Sequence, residues 1–228
     1  MRMLVEFKKT QTVRHLGLLD LQRTMQRALR RSGLSVRYSS GFNPHIVMSF
    51  ASALSSGIPG DAELLDVSLA SEDVTESECL ARLNAVLPPT LPVTRVRLVD
   101  DRFPKVGAAL SQAEYRVCLR GEDAKKIADS VPAFLEREEI MALRKTKRQE
   151  TMVNIRPMLH ELTAVVDESA QAVDMTLRVS FVEAATLKPE LLLETLAAFA
   201  GVPLPAHEIR RTRLLGIKDG QCVPLIDL

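Results

Sequence analysis

The sequence predicts an α+β protein made of two ferredoxin-like (split βαβ) units, each with an antiparallel sheet and helices packed on one face. Of the 228 residues, 46% are hydrophobic, which is enough for a core and suits one large domain or two small ones. Each half alternates strand-like and helix-like segments in one order: strand, helix, two or three strands, helix, strand. A segment with Pro and Gly at 101–112 separates the halves. We therefore expect one unit at 1–101 and a second at 112–228.

The first half contains the clearest helix of the chain, over 16–32, which ends before Gly33. Its expected apolar side consists of Leu18, Leu21, Met25, Ala28, Leu29 and Ser32. Thr75 and Glu78 have the spacing of a capping box for a second helix over 75–87. The predicted strands of this half are 3–8, 34–38, 45–51, 62–70 and 93–99.

The second half repeats this order less clearly. A strong apolar helix is expected over 188–200, with Pro189 at its start and Gly201 after its end. Another helix is expected over 123–137, where Pro132 interrupts the pattern. The predicted strands are 114–120, 139–144, 150–156, 159–166, 175–182 and 209–217. The tail beyond the last strand is expected to be loose.

The positions of the cysteines and the hydropathy of the sequence exclude several classes of protein. The three cysteines lie far apart and fit no disulfide framework, zinc site or iron–sulfur loop, which indicates a reducing compartment. No apolar run approaches the roughly 18–20 residues that span a bilayer, and the alternating amino terminus is typical of a strand rather than a signal peptide. We therefore expect a cytoplasmic protein with no membrane contact and with no metal or cofactor of its own.

The net charge of +1 hides a strong segregation of charged residues along the chain. Residues 1–50 hold nine basic and two acidic side chains, whereas residues 51–101 hold three basic and nine acidic ones. Residues 142–160 are again basic, by four charges, and residues 161–209 are acidic, by six. If these blocks stay apart in the fold, the positive regions attract phosphate backbones; if they meet, they neutralise each other.

Arginines form a row on the first helix. Arg23, Arg27 and Arg30 are spaced i, i+4, i+7, so their guanidinium groups emerge along one line, and Arg31 flanks that line. Like charges at this spacing repel one another, and a bound polyanion would relieve the repulsion. We therefore predict phosphate contacts from these four residues and from Arg37, just beyond the helix. The alternative is a solvated helix face that pairs with the acidic block that follows.

A turn-rich loop, Tyr38-Ser-Ser-Gly-Phe-Asn-Pro-His45, follows the arginine row. Tyr38 and Phe42 carry rings that can stack on bases if they are exposed. Asn43 can read a base edge, and His45 can bind phosphate or move a proton. The alternative is a tight turn whose aromatic residues pack into the core.

A second candidate phosphate contact lies at Arg156 in the second half. A residue before proline favours extended geometry, so we expect Arg156, before Pro157, to project from the end of a strand. The basic stretch Lys145-Thr146-Lys147-Arg148 lies upstream. An ordinary strand end with exposed charge explains the pattern equally well.

The usual catalytic motifs are absent from the sequence, which has no P-loop, GxGxxG, HExxH or GxSxG. The four histidines lack the spacing of metal ligands. Asp20, at the start of the basic helix, and His45, in the loop, are the candidates for a general base or nucleophile. For Asp20, a favourable interaction with the helix dipole is the simpler explanation.

Several segments together resemble one known family. They are Asp20-Leu-Gln-Arg23, Arg27-Ala-Leu-Arg-Arg31-Ser-Gly-Leu34, Tyr38-Ser-Ser-Gly-Phe-Asn-Pro-His45, Ser49-Phe50-Ala51, Glu63, Asp66 and Ile155-Arg156-Pro157. The chain resembles, over nearly its whole length, the radical-SAM-linked conserved proteins classed as a domain of unknown function, DUF2344. It departs from the family pattern Ser-His-Leu-Asp, which corresponds here to Gly17-Leu-Leu-Asp20, with His15 displaced by one helical turn.

The resemblance implies partners rather than an activity. Members of this family occur fused to, or encoded beside, a radical SAM protein of the B12-binding type, often near a ribonuclease E/G and ribosomal proteins. Because this sequence has no CxxxCxxC motif, any iron–sulfur chemistry would belong to a partner polypeptide.

We therefore expect a non-catalytic accessory protein that binds rRNA or tRNA through the basic helix and the adjacent loop. One alternative is an RNA-modifying or RNA-cleaving enzyme, since ferredoxin-like units also occur in pseudouridine synthases and CRISPR-repeat endoribonucleases. The other alternative is a module that docks on an acidic face of the radical SAM partner. Cleaved or modified RNA would indicate the enzyme, and an interaction that survives nuclease would indicate the docking module.

Overall fold

The computed structural model describes residues 1–145, 149–169, 171–182 and 185–228 of a mixed α+β chain. These residues form two compact units: Met1–Leu110 with Arg213–Leu228, and Ser111–Thr212. Among the described residues, no helix is both long and apolar enough to cross a bilayer. Of the basic stretch in the second half, Thr146, Lys147 and Arg148 lie outside the described residues.

The first unit is built on four antiparallel strands. Its elements are β1 (Arg2–Lys9), α1 (Leu18–Arg31), β2 (Met48–Phe50), β3 (Gly60–Ser68), α2 (Glu76–Val86), β4 (Val93–Val99) and the short α3 (Val106–Ala109). β1 lies between β4 and β3, and β2 pairs with β3, so the strand order is β4-β1-β3-β2. Each of these three pairings is antiparallel.

The second unit contains four adjoining strands and a separate hairpin. Its elements are β5 (Gln112–Arg120), α4 (Asp123–Leu135), β6 (Met141–Lys145), β7 (Glu150–Asn154), β8 (Leu159–Asp167), β9 (Ala172–Ser180), α5 (Pro189–Phe199) and the first part of β10 (Ala206–Lys218). β10, β5, β9 and β8 adjoin in that order, and β6 pairs with β7 alone. Phe134 of α4 and Phe199 of α5 meet edge to face, with ring centroids 5.3 Å apart.

The core of the first unit lies between its sheet and the helices α1 and α2. Alternate residues of β1, namely Met3, Val5 and Phe7, are buried in one cluster with Leu21, Met25, Ala28 and Leu29 of α1 and with Cys79 and Leu83 of α2. Burying a side chain of this kind stabilises the fold by about 1.5–3 kcal/mol. This packing fixes the apolar side of α1 and leaves its opposite side free to face solvent.

The opposite face of the same sheet carries a buried ion pair. Arg2 of β1 and Asp66 of β3 are 1% and 4% exposed, and their guanidinium and carboxylate groups form a two-point contact. The same guanidinium also donates to the backbone carbonyls of Phe103 and Pro104. This hydrogen bonding, chiefly with Asp66, raises the pKa of Arg2 above its ordinary value. The pair joins β1, β3 and the segment that follows β4.

The carboxyl-terminal tail is ordered, so the expectation of a loose tail is wrong. A last strand, β11 (Gln221–Pro224), pairs with β10, and Leu225 and Ile226 are buried. Arg97 of β4 donates to the carbonyl of Ile226 over 2.6 Å, and Arg95 forms an ion pair with Asp227. These contacts attach the tail to β4. Residues 213–228 therefore cluster with the first unit, whereas the expected division placed them with the second.

Candidate nucleic-acid interface

The helix α1 has one buried side and one basic side. Leu21, Met25, Ala28 and Leu29 are buried, and Arg23, Arg27, Arg30 and Arg31 are exposed. A helix turns 100° per residue, which places Arg23, Arg27 and Arg30 nearly opposite the buried residues. We call the exposed side with these three residues and Arg31 the arginine face.

Two residues of the arginine face contact groups of their own chain. The Arg23 guanidinium lies 3.3 Å from the carboxylate of Asp20, one turn earlier, and both side chains are largely exposed. Ion pairs of this exposed kind contribute about 0–1 kcal/mol. Arg31 donates to the backbone carbonyl of Val86, at the end of α2, over 2.8 Å. Neither contact pairs an arginine with a buried carboxylate.

Arg27 and Arg30 have no hydrogen-bond or ion-pair partner among the described residues. In that same part of the chain, no arginine of α1 forms an ion pair with the acidic block at 61–78. The arginines of the helix are therefore solvated and are not in close ion pairs with this block. The arginine face keeps an uncompensated positive charge on a rigid element.

The carboxyl end of α1 lies toward the end of the sheet where the loop begins. The amide of Gly57, before β3, donates to the carbonyl of Arg14, before α1. Beyond the other end of the helix, Val36 forms a β-bridge with Leu69, directly after β3. α1 and β3 therefore run in the same direction. Arg30 lies in the last turn of α1, and the chain then continues toward the loop.

The loop is a small hairpin that is closed at its stem. Tyr38 and Ile46 form a β-bridge, and the amide of Ser39 donates to the carbonyl of His45 over 2.8 Å. The Ser39 hydroxyl accepts from the His45 amide over 3.1 Å and lies 2.9 Å from its Nδ1. Gly41 has a φ of 128°, which only glycine adopts without strain. These constraints present residues 40–44 as a defined tip.

The tip exposes an aromatic ring. Phe42 is 105% exposed relative to an extended chain, and Tyr38 at the stem is 45% exposed. Asn43 and His45 are exposed as well. Neither ring is buried, so the alternative in which the aromatic residues pack into the core is wrong. Arg37, at the base of the loop, lies 3.8 Å from Asp101 in a solvent-exposed pair.

Asp20 and His45 are not brought together. Asp20 lies in the first turn of α1, and the rise of 1.5 Å per residue puts about 16 Å between it and Arg31. His45 belongs to the loop beyond the other end of the helix. The two candidates for acid–base chemistry therefore do not form one site. No group of His, Cys, Asp or Glu side chains in the described residues could hold a metal ion.

Arg156 does not project from a strand end, so that expectation is wrong. It begins a short 3₁₀ turn, and its guanidinium donates to the backbone carbonyls of Leu135 and Leu159. Asn154, before it, accepts from the amides of Ile140 and Arg156 and so fixes this turn. Arg156 therefore holds parts of the second unit together.

The sequence pattern misplaced one leucine of α1 and did not single out another. Leu18, expected on the buried side, is 39% exposed. Leu19, which the pattern did not single out, is 68% exposed and lies four residues before Arg23 on the arginine face. The i, i+4 spacing to Arg23 was the signal that would have found it.

Comparison with known proteins gives a similarity of fold and a family. No curated protein matches the chain. One chain of a solved structure of a Cbf5-Nop10-Gar1 complex is similar over 93% of this chain, with a TM-score of 0.53 and 13% identity. This protein spans about half of that chain, since the match covers 48% of it. An identity this low shows similarity of fold alone.

The family is shown by the sequence itself. Residues 2–189 match DUF2344, described as an uncharacterized protein conserved in bacteria. This range contains α1 with its arginine face, the loop that carries Phe42, and most of the second unit. Because the match covers more than half of the chain, the protein belongs to the DUF2344 family.

Proposed function

We propose that this protein binds RNA, either rRNA or tRNA, through the arginine face and the loop of residues 38–45. The observation that carries the proposal is the pair Arg27 and Arg30, which are exposed and have no partner among the described residues. In this role the protein is an accessory factor that acts in the cytoplasm and presents RNA to a radical SAM protein of the B12-binding type.

Electrostatics supports a polyanion as the ligand. Arg27 lies within one turn of Arg23, Arg30 and Arg31, and each like-charge pair costs a few tenths of a kcal/mol on an exposed helix. Phosphates placed along the row would convert this repulsion into attraction and release condensed counterions. Such contacts give affinity without sequence information, so specificity would come from the loop or from the partner.

The strand orders support a ferredoxin-like architecture for both units. The first unit has the order β4-β1-β3-β2, and the second has the order β10-β5-β9-β8. In both, the first strand lies between the last strand and the third one, which is the split βαβ arrangement. In this architecture α1 follows the first strand, so its outer side is available to a ligand.

The partnership with a radical SAM protein rests on the family resemblance and on chemistry that this chain lacks. Its sequence has no CxxxCxxC motif to hold an iron–sulfur cluster, so a partner must supply that chemistry. A ribonuclease E/G or ribosomal components are further candidates for proteins that act on the same RNA.

Reversal of the arginine face tests the RNA proposal. We expect Arg23→Glu/Arg27→Glu/Arg30→Glu to abolish retention of total RNA in a low-salt filter assay, because three phosphate contacts become repulsive. With glutamine at the same positions, the slope of log Kobs against log salt should fall by about 2–3, at roughly 0.7–0.9 per contact.

A matched reversal elsewhere separates a site from a general effect of charge. Arg116, Arg120 and Arg137 are exposed arginines of the second unit, and their reversal to glutamate changes the net charge equally. This control should retain RNA, and circular dichroism should show that both triple variants are folded. Unchanged retention by the arginine-face variant would refute the proposal. So would loss of binding to the radical SAM protein, after nuclease treatment, without loss of RNA binding.

A further inference from the structure

Phe42 is the most exposed large apolar side chain among the described residues, and it lies at the tip of the loop. The bridge of Tyr38 with Ile46 and the contacts of Ser39 with His45 close the stem beneath it. These contacts restrain the backbone of the stem, and the ring at the tip is fully accessible to a ligand. Full exposure of a phenylalanine contributes nothing to the core, which points to a binding role.

The neighbours of Phe42 favour a single flat ligand over an apolar protein surface. The tip places Ser40, Gly41, Asn43 and Pro44 around the ring, so no contiguous apolar patch forms there in the sequence of the loop. Protein docking sites need such a patch or a pocket. Stacking needs only one face of a ring, and every nucleobase offers a matching π surface.

We infer that the RNA bound by the arginine face is single-stranded where it meets the loop, and that one unpaired base stacks on Phe42. This inference rests on the proposed function. In an A-form duplex the base faces are covered by neighbouring bases, and the major groove is too deep and narrow for a side chain to read. Only unpaired bases in loops, bulges or ends can reach the ring. The preferred ligand class is therefore a single-stranded segment.

The absence of tryptophan from the sequence makes a direct test possible. Phe42→Trp places the only indole of the protein at the tip of the loop, where a stacked base quenches its emission. The probes are an oligouridine of about 12 nucleotides and an RNA duplex of the same length. We expect quenching by the oligouridine and little change with the duplex. Equal quenching by both, or none by the oligouridine, would overturn the inference.

Affinity measurements separate stacking from a general apolar contact. Phe42→Leu keeps an apolar side chain but removes the ring, and we expect about tenfold weaker binding of the oligouridine with duplex binding unchanged. Phe42→Trp should bind at least as well as the native protein. Val165→Ala removes another exposed apolar side chain, in the second unit, and should have no effect.

The outcomes of this inference and of the proposed function are distinguishable. If the arginine-face reversal abolishes RNA binding but Phe42→Leu binds the oligouridine as tightly as the native protein, the inference fails and the proposed function stands. If the native protein retains neither probe, both fail. Loss of oligouridine binding in both variants supports both.

Discussion

At the scale of single residues, Asp66 shows how a family-matching carboxylate can be structural. It matches the family pattern, and carboxylates that match a pattern invite a catalytic interpretation. Its carboxylate is instead 4% exposed and fully engaged with Arg2 on the covered face of the sheet. A substrate has no access to it there, so its function is to hold β1 and β3 together.

Replacement of Asp66 tests this structural role. Asp66→Asn leaves the buried guanidinium of Arg2 without a counter-charge, which typically costs about 3–5 kcal/mol. We expect a large fall in the urea midpoint, while Asp129→Asn on the exposed side of α4 should change it little. RNA retention by the fraction that remains folded should be normal. A stability change below about 1 kcal/mol would contradict the role assigned to the pair.

At the scale of elements, the two helices of the first unit begin differently. α2 has the capping box expected from the sequence: the Thr75 hydroxyl accepts from the amide of Glu78, and the Glu78 carboxylate accepts from the amide of Thr75. The Glu78 carboxylate accepts from the Thr75 amide and also from the Thr75 hydroxyl, and these two bonds lower the pKa of Glu78. α1 begins at Gly17, which provides no side-chain cap, so its stability depends on the buried face.

Removal of the cap should therefore affect α2 alone. Thr75→Ala deletes the acceptor for the Glu78 amide and should lower the free energy of unfolding by about 1 kcal/mol. Arg82→Ala, on the exposed side of the same helix, is the matched control and should have a smaller effect because alanine is the better helix former. Equal effects of the two variants in urea unfolding would show that the box does not stabilise the helix.

Local patterns predicted these elements well, and long-range contacts account for the errors. The arginine row and the capping box depend on residues within one or two turns, so spacing alone predicts them. The burial of the tail depends on Arg95 and Arg97, which are more than 120 residues away along the chain. No periodicity in a short terminal segment carries that information.

The candidate site shows the same division between local and distant causes. Spacing predicted the direction of the arginines, and the turn residues predicted the loop. Whether Phe42 is exposed, and whether Arg27 finds an acidic partner, depend on which elements pack nearby. The Arg156 guanidinium donates to two backbone carbonyls, and this arrangement likewise follows from the fold of the second unit.

At the scale of the whole molecule, shifted pKa values contribute to the way stability varies with pH, and three groups show the signs of these contributions. Burial, and then the positive charge of Arg178, lowers the pKa of His160. The ion pair with Arg95 lowers the pKa of Asp227. Burial raises the pKa of Cys79. The lowered pKa values of His160 and Asp227 disfavour protonation of these groups in the native state, and the raised pKa of Cys79 disfavours loss of its proton. These contributions favour the native state most between the ordinary pKa of histidine and that of cysteine.

The sign of each contribution predicts a plateau in thermal stability from about pH 6.5 to about pH 8.5. Below it, the unfolded state takes up protons on His160 first and on Asp227 later, and stability falls. Above it, the unfolded state loses the Cys79 proton first, and stability again falls. His160→Gln, which can still bond to the Ser180 hydroxyl, should remove the first loss on the acid side. An unaltered acid limb would contradict this assignment.

The arginine face has a practical consequence for purified material. A protein with no tryptophan and two tyrosines absorbs weakly near 280 nm. Even a small amount of nucleic acid held by the uncompensated guanidinium groups would dominate its ultraviolet spectrum. Preparations from cell extract should therefore show a raised ratio of absorbance at 260 and 280 nm, and a wash with concentrated salt should restore it. The first sign of the natural ligand is thus expected in a routine spectrum, before any assay is designed.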